Sequence, residues 1–365
     1  MEEFATRTGL SSNMRQVRYL WTDAFAVCNY LTLFRRTGLQ RHRERAVALI
    51  DHVHHALGRH RDDSRRRGWI SGLDEEEGER HPTARGLRIG KPLSERGPGD
   101  RYDPRQEWNR DGQYYHYLMR WTHALARAAE VLEDPKLHQW AVELAKAAHA
   151  GFTYRSAPGS APRMYWKMSI DLTRPLVPSQ GAHDPLDGLV TSSGLGPDEL
   201  RQEVNELWRM CNPAAWATDD PLGVGGLLTD TWRVAQLLLA SRAQGRGRLE
   251  ELLLQLVESS LESLDGLTRS RTLVRRFEDR LAFRELGLAI GLRASEELLG
   301  AVEALPTQVR TDALRGVAHY VSLAHEITAT WLSTEARTSA LWKAHEDIND
   351  VMLATALAPD EFIRA

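Results

Sequence analysis

The sequence predicts an all-α fold, an α/α toroid built as a barrel of about six helical hairpins, with long loops covering one end. Apolar residues recur at helical spacing along most of the chain, and short breaks divide these stretches into pairs. Few segments alternate apolar and polar residues as strands do. A chain of 365 residues with 42% hydrophobic composition can bury a large core, so we expect one domain over residues 1–365.

The clearest helical pattern lies near the N-terminus, where apolar residues between positions 20 and 34 are spaced by four and three. A second stripe, between positions 46 and 57, follows the break at Thr37 and Gly38 and completes a helical hairpin. Stretches 118–132 and 137–148, on either side of Glu133-Asp134-Pro135, predict another hairpin. Further helices are predicted at about 226–240, 249–264, 281–299, 309–332 and 335–357.

The predicted helix at 281–299 is apolar on more than one face. A helix of this kind is typical of a buried position in a helical array. Gly287 and Gly291 lack side chains, so we expect them to let a neighbouring helix approach closely, although each glycine lowers helix propensity.

Two long stretches without helical periodicity, 59–108 and 153–197, are rich in Gly, Pro and charged residues. Compact domains seldom contain irregular segments of this length unless the segments serve a site. We therefore expect both to be loops folded over the mouth of a central cavity.

The balance of charge limits the partners. The 47 Lys and Arg residues nearly offset the 50 Asp and Glu residues, so no strong field attracts nucleic acid or an anionic membrane. The N-terminus has neither the basic region nor the apolar core of a secretory signal, and no apolar run is long enough to cross a bilayer. We expect a cytoplasmic protein whose partner is a small molecule.

Several classes of enzyme chemistry have no motif in this sequence. Cys28 and Cys211 are too few and too far apart for a disulfide framework or a thiolate zinc site, and the acidic run 74–77 lacks the spacing of a calcium loop. The chain contains no GxxxxGK[ST] phosphate loop, no GxGxxG after a strand, no HExxH and no GxSxG. We therefore predict neither a metal site nor a cofactor.

The hairpin spacing, the hairpin LFRRTGLQRHRERAVALI and the helix starts Trp21-Thr22-Asp23 and Trp108-Asn109-Arg110-Asp111 resemble the six-hairpin α/α-barrel superfamily. That superfamily includes glycoside hydrolases, unsaturated uronyl hydrolases, polysaccharide lyases and the N-acylglucosamine 2-epimerase group. The resemblance implies a carbohydrate-lined cavity with acids at the ends of the inner helices. The chain lacks the Asn-x-His-Met-His pattern of the epimerase and aldose–ketose isomerase members, which counts against isomerisation.

Asp23 and Asp111 are candidate catalytic acids near predicted helix starts. Asp23 falls on the apolar face of its helix, where burial could raise the pKa of its carboxyl group. Alternatively, it caps the helix by accepting backbone N–H groups. Asp111 presents the same choice, but its neighbours Tyr114, Tyr115 and His116 offer faces on which sugar rings stack.

The segment 171–187 holds the candidate catalytic residues His183, Asp184 and Asp187. A carboxylate beside an imidazole orients it and raises its pKa, so His183 with either acid could form an acid/base pair. Alternatively, Asp184-Pro185 and Asp187-Gly188 are ordinary turn or cap dipeptides.

Four further residues are candidates for substrate binding. Arg88 and Lys91 could hold a carboxylate or phosphate group, or they could belong to a solvated loop. His345 shares the apolar stripe of the last predicted helix and could face a ligand or sit satisfied in the core. Glu285 could be an acid that faces substrate, or it could pair with Arg284.

These residues predict an enzyme that acts on a small sugar or sugar-like molecule, and hydrolysis of a glycosidic bond is the leading hypothesis. Asp111 and an acid of the 171–187 segment would protonate the leaving oxygen and activate water. The second hypothesis is a proton-transfer epimerase, isomerase or lyase with His183, His116 or His345 as the base. The third is a helical binding scaffold without catalysis. The stacking walls would be Trp21, Trp108, Tyr114, Tyr115 and Trp166.

Overall fold

The computed structural model describes residues 1–12, 14, 16–196, 198–241 and 245–365, and the backbone alone of Phe277. The chain divides into two compact units, Glu2–Cys211 and Asn212–Ala365, the second of which includes Met1. Each unit is built mainly from helices. That the whole chain is one domain stays a prediction.

The first unit contains the two hairpins that the periodicity predicts. Helix α2 (Leu20–Thr37) packs against α3 (Gln40–Leu57), α6 (Tyr115–Leu132) packs against α7 (Pro135–Phe152), and α2 also packs along α6. Gly38 ends α2 in the left-handed conformation, with φ 67°, and its N–H bonds the carbonyl of Phe34. Pro135 and the capping carboxylate of Asp134 begin α7. The helices are α1 (Glu2–Arg7), α2 (Leu20–Thr37), α3 (Gln40–Leu57), α4 (Glu75–Arg80), α5 (Pro104–Asn109), α6 (Tyr115–Leu132), α7 (Pro135–Phe152), α8 (Asp184–Leu195) and α9 (Arg201–Met210).

Both long loops belong to the first unit and contact each other. Arg66 Nη1 lies 2.9 Å from Asp171 Oδ2, and the Ile170 N–H donates to Glu95 Oε2 at 2.6 Å. Short antiparallel strands order their backbone in two sheets, one in the order β1-β4-β5 and the other pairing β2 with β3. The strands are β1 (Gln113–Tyr114), β2 (Thr153–Tyr154), β3 (Arg163–Met164), β4 (Lys167–Met168) and β5 (Pro175–Val177).

The irregular segment predicted at 153–197 is wrong over its last part, because residues 184–195 form α8. Pro185 lies in the first helical turn, where its missing N–H leaves no bond unmade. The predicted boundary at Pro197 lies outside the described residues.

The second unit centres on α12, which is buried over most of its length, as its apolar pattern predicts. Helix α12 packs so closely on α10 that a Cβ on Gly291 or on Gly225 would overlap the backbone of the other helix. The two glycines allow this approach because they have no Cβ. The helices are α10 (Pro221–Ala240), α11 (Arg246–Ser270), α12 (Ala282–Gly300), α13 (Asp312–Ala318), α14 (Leu323–Leu332), α15 (Thr334–Thr338), α16 (Ala340–Ala344), α17 (Glu346–Leu357) and α18 (Asp360–Ile363).

The two long helices predicted at 309–332 and 335–357 are wrong, since each is broken into shorter ones. Hydroxyl side chains cap the starts of α13, α15 and α16, whereas those of α14 and α17 have no side-chain cap. Thr311 accepts from the Leu314 N–H, Ser333 from the Ala336 N–H and Ser339 from the Trp342 N–H. A hydroxyl that bonds its own backbone in this way favours a helix start over a helix interior.

Candidate functional site

A cluster of rings, which we call the aromatic site, lies where α2 and α6 begin. The ring centroid of Tyr117 lies 5.3 Å from that of Trp21 and 4.8 Å from that of His116. Trp166 stacks nearly parallel to His116 at 6.3 Å. The hydroxyl groups of Tyr19 and Tyr117 are 2.6 Å apart. The aromatic site consists of Tyr19, Trp21, Tyr114, His116, Tyr117 and Trp166.

Local backbone structure explains why these rings meet. Helices α2 and α6 pack side by side, so residues at their first turns are neighbours. Strand pairing brings in the second loop, because Tyr114 of β1 lies opposite Lys167 of β4. Trp166, the residue before Lys167, thereby reaches a centroid distance of 5.1 Å from Tyr114.

One side of the aromatic site is open. The side chain of His116 is 25% exposed, and Tyr19 and Trp166 are half-buried. Trp21, Tyr114 and Tyr117 lie behind them and are buried. Aromatic rings that are packed on one side and open on the other offer apolar faces to a small ligand.

An acidic pair on α8 reaches the imidazole of the aromatic site. Asp184 Oδ1 lies 3.6 Å from His116 Nδ1, and Asp187 Oδ1 lies 3.3 Å from Arg120 Nη1. Burial and the Arg120 guanidinium lower the pKa of His116 to about 3. Burial and the Asp187 carboxylate raise the pKa of Asp184 to about 7. Near neutral pH His116 is therefore a neutral imidazole, and Asp184 retains its proton over part of the population.

Several polar atoms of this group make no hydrogen bond to the described residues. They are Nδ1 of His116, Oδ2 of Asp184 and both carboxylate oxygens of Asp187, and all are buried. A buried polar atom without a hydrogen bond costs about 1–3 kcal/mol, and such atoms are rare in folded proteins. Their concentration beside an open aromatic surface indicates a functional site.

Asp111, predicted as a catalytic acid, is instead surrounded by donors from its own unit. Its carboxylate accepts from Arg88 Nη1 at 2.5 Å, from Arg61 Nη1 at 3.4 Å and from the Gly90 N–H at 3.0 Å. Arg88 also donates to the carbonyls of Ala56 and Arg59, so its guanidinium is occupied by protein acceptors. These contacts favour structural roles for Asp111 and Arg88, and their functional roles stay predictions.

Asp23 lies in the first turn of α2, whose N-cap residue is Tyr19, and its carboxylate is engaged by neighbouring donors. Its Oδ2 accepts from the Tyr19 N–H at 3.0 Å, and its Oδ1 pairs with Arg18 Nη1 at 3.2 Å. The carboxylate is buried at the start of α2. It thus fixes Tyr19, a residue of the aromatic site, without facing the imidazole group.

Tyr115 and His183 are neighbours of the acidic pair. The buried ring of Tyr115 lies 5.6 Å from that of Phe152, and its hydroxyl fills the space where a Cβ on Gly188 would stand. His183 precedes α8, and its carbonyl accepts from the Asp187 N–H at 2.9 Å. Tyr115 thus packs on α8 at Gly188, whereas the bond to His183 is the first backbone hydrogen bond of α8 itself.

The first long loop adds a rim of charge to the aromatic site. Lys91 Nζ lies 5.1 Å from the ring centroid of Tyr19 and 4.7 Å from that of Trp108. Trp108 is 51% exposed. Both residues were predicted to bind substrate, and Lys91 connects the exposed indole to the aromatic site.

Glu285 and His345 belong to the second unit. Glu285 pairs with Arg280, not with the predicted Arg284, and it accepts from Trp331 Nε1 at 3.0 Å. His345 is exposed at the break between α16 and α17, so its predicted position on an inward-facing stripe is wrong. The helix that would have turned it inward begins only at Glu346.

Three residues of the candidate site were not predicted from the sequence. They are Tyr19 and Tyr117 of the aromatic site, and Arg120, which pairs with Asp187. Arg120 follows His116 by four positions on a helix, a spacing that places both side chains on one face. That signal was available in the sequence. Tyr19 precedes the first helical residue, and its approach to Tyr117 depends on how α2 and α6 pack.

The structure is mainly helical, with helical hairpins and few strands, and its fold is similar to that of a helical α/α-barrel enzyme, as the sequence predicts. Among solved structures, the cellobiose 2-epimerase from Spirochaeta thermophila is similar over 95% of this chain and 87% of its own, with a TM-score of 0.52 and 15% identity. No protein-family model and no curated protein matches the sequence. At this identity the likeness concerns the fold.

Two further findings concern ions and membranes. Within the described ranges, no group of three or more His, Cys, Asp or Glu side chains is arranged to bind a metal ion. None of the helices that the structure describes combines the length and apolarity needed for a membrane crossing.

Proposed function

We propose that this protein is a carbohydrate-active enzyme that transfers a proton at a carbon atom of a sugar, as an epimerase or isomerase does. The observation that carries the proposal is the position of the His116 imidazole. It stands in the open side of the aromatic site, 3.6 Å from the carboxyl group of Asp184. This reaction class was the second hypothesis from the sequence, and the similarity in fold to a cellobiose 2-epimerase now supports it over hydrolysis.

The chemistry follows from the state of the two groups. A neutral imidazole accepts a proton from the carbon beside the carbonyl of an open-chain sugar, and the electron pair of that C–H bond forms an enediolate. Delivery of a proton from solvent water to the opposite face of the same carbon gives the epimer, with the proton on His116 released to solvent, and return of the His116 proton to the former carbonyl carbon gives the ketose. An ionised Asp184 would orient His116 with its proton on Nδ1, which leaves the Nε2 lone pair for the substrate.

The aromatic site would bind the sugar. The C–H faces of a pyranose or an extended sugar chain are apolar and pack on indole and phenol rings. Trp166, which stacks on His116, and Tyr19 are the half-buried walls of the aromatic site. Nε2 of His116 makes no hydrogen bond to the described residues, so it is available to a ligand.

Glycosidic hydrolysis is the second candidate, and the raised pKa of Asp184 is the observation in its favour. A carboxyl group with a pKa of about 7 keeps a proton that a leaving oxygen could take, with Asp187 as the second carboxylate. Asp111 is a weaker partner than the sequence suggested, because donors occupy its oxygens. A scaffold without catalysis is the least supported hypothesis, since it predicts a wall without clustered acids.

Proton exchange with solvent tests the proposal. The protein is incubated in deuterated water with glucose, mannose, cellobiose, glucuronate and glucose 6-phosphate, and NMR follows deuterium at the carbon beside the carbonyl. We expect exchange with at least one sugar, and we expect His116→Gln to slow it by a factor on the order of 100 or more.

His138→Gln is the matched control, because His138 is an exposed histidine on α7 whose only described contact here is with Glu199. It should leave the exchange rate unchanged. Hydrolysis of cellobiose without exchange would favour the second candidate, and equal rates for His116→Gln and the wild type would remove His116 from the mechanism.

A further inference from the structure

The ammonium group of Lys91 lies between two aromatic rings at the edge of the aromatic site. Its Nζ is 5.1 Å from the centroid of Tyr19 and 4.7 Å from that of Trp108. The side chain is half-buried. Nζ makes no hydrogen bond or ion pair with any residue in the described part of the chain.

The neighbouring charged groups are already compensated. Lys167 Nζ donates to Glu107 Oε1 at 2.9 Å and to two carbonyls, of Glu107 and Arg110, at 2.8 Å each. Asp111, an acid that acts on Lys91 through space, has oxygens engaged by arginines and by backbone N–H groups. Lys91 is therefore the cation of this region that lacks an anionic partner among these neighbours.

Such a cation suits an anionic ligand. Burial and the charge of Lys167 lower the pKa of Lys91 to about 8, so it remains mostly protonated at neutral pH. The two rings stabilise the ammonium by cation–π attraction but leave its N–H donors without acceptors. An incoming carboxylate or phosphate would supply both acceptors and charge.

The position of Lys91 connects it to the proposed base. The ring of Tyr19 lies 5.6 Å from that of Tyr117, and Tyr117 lies 4.8 Å from the imidazole of His116. Two rings thus separate the ammonium from the imidazole, the half-buried Tyr19 and the buried Tyr117. A ligand that lies over Tyr19 and extends toward His116 would place one end at each group.

We propose that Lys91 binds a negatively charged group, a carboxylate or a phosphate, at the end of the sugar substrate remote from His116. This inference rests on the proposed function for the identity of the ligand as a sugar. It narrows the substrate class to anionic sugars.

Two measurements test the inference: the exchange assay with glucose, glucuronate and glucose 6-phosphate, and calorimetric binding of the same three. The variants are Lys91→Met, which keeps an unbranched chain between the rings, and Lys91→Arg, which keeps the charge. We expect the wild type to prefer an anionic sugar over glucose by about tenfold or more, mainly through KM. Lys91→Met should lower kcat/KM and affinity for the anionic sugar by about tenfold more than for glucose, and Lys91→Arg should retain most of the preference.

The outcomes separate the two proposals. A preference for glucose, equal losses on neutral and anionic sugars in Lys91→Met, or anion binding unchanged by that variant would overturn the anion site. If no sugar exchanges a proton but Lys91→Met still abolishes binding of glucuronate or glucose 6-phosphate, the proposed reaction fails and the anion site stands. The comparison of these two ligands shows whether the group is a carboxylate or a phosphate.

Discussion

Replacement of Asp184 by asparagine should stabilise the protein, and the gain should grow with pH. Burial and Asp187 raise the pKa of this carboxyl group from 3.8 to about 7. Below about pH 4 the group is protonated in both the folded and unfolded states, and its contribution to the pH dependence vanishes. Between pH 4 and pH 7 the unfolded chain loses the proton while the folded chain keeps it, so the free energy of unfolding falls as pH rises.

The size of the effect follows from the shift. About 3 pKa units at 1.36 kcal/mol each give an upper limit of about 4 kcal/mol above pH 7. Asparagine cannot ionise. The free energy of unfolding of Asp184→Asn, relative to that of the wild type, should therefore increase by about 3 kcal/mol from pH 5 to pH 8. Guanidinium unfolding curves at the two pH values measure this difference.

Asp111→Asn is the matched control, because Asp111 is equally buried but is paired with Arg88 and Arg61. Breaking a buried ion pair costs about 3–5 kcal/mol, and the loss should be similar at pH 5 and pH 8 because the arginines stay charged at both. We expect these results because the fold disfavours the ionised form of Asp184. This explanation would be refuted if Asp184→Asn were less stable than the wild type, or if the difference in free energy of unfolding did not change with pH.

Two further predictions use the same structure. If Asp184 orients His116, kcat/KM should rise as pH increases through about 7, and this limb should vanish in Asp184→Asn; a fall through about 7 would instead identify Asp184 as a general acid for hydrolysis. In the second unit, Gly291→Ala should destabilise the protein by about 1–3 kcal/mol in denaturant unfolding, because its Cβ would meet the backbone of Gly225. Gly266→Ala on α11, where a Cβ meets nothing within 4 Å, should stabilise the protein by up to about 1 kcal/mol. If Gly291→Ala stabilised the protein and Gly266→Ala destabilised it, this account of how α10 packs on α12 would be wrong.

The helical hairpins could be predicted from the sequence because their signals are local. The apolar spacing depends on residues of one helix, and the breaks at Gly38 and Pro135 depend on the residues next to them. Helices α2, α3, α6 and α7 form where this spacing and these breaks predict them. The C-terminal helices could not be placed from apolar spacing alone. There the stripe predicted at 335–357 continues across Ser339, and the capping bond of this hydroxyl begins a new helix, α16.

The candidate site was predictable in its residue types and less so in its roles. Tyr114, His116, Trp166 and Asp184 were all candidates, and the structure brings them together. Asp184-Pro185 also had a helical interpretation, since an acid followed by proline is a common helix start. The structure takes that interpretation, and it thereby turns Asp184 toward His116.

Asp111 and Asp184 show why the roles could not be read from the chain. Both are aspartates next to turn-forming residues, and both become buried. The difference arises from partners distant in sequence: Arg61 and Arg88 reach Asp111 from the first loop, whereas Asp184 meets Asp187 and a neutral imidazole. A buried carboxylate with arginines stabilises the fold, while one without them retains a proton that it can exchange. Burial and Asp187 raise the pKa of Asp184 in spite of the opposing charge of Arg120, so Asp184 fits the proposed role of acid or orienting group better than Asp111 does.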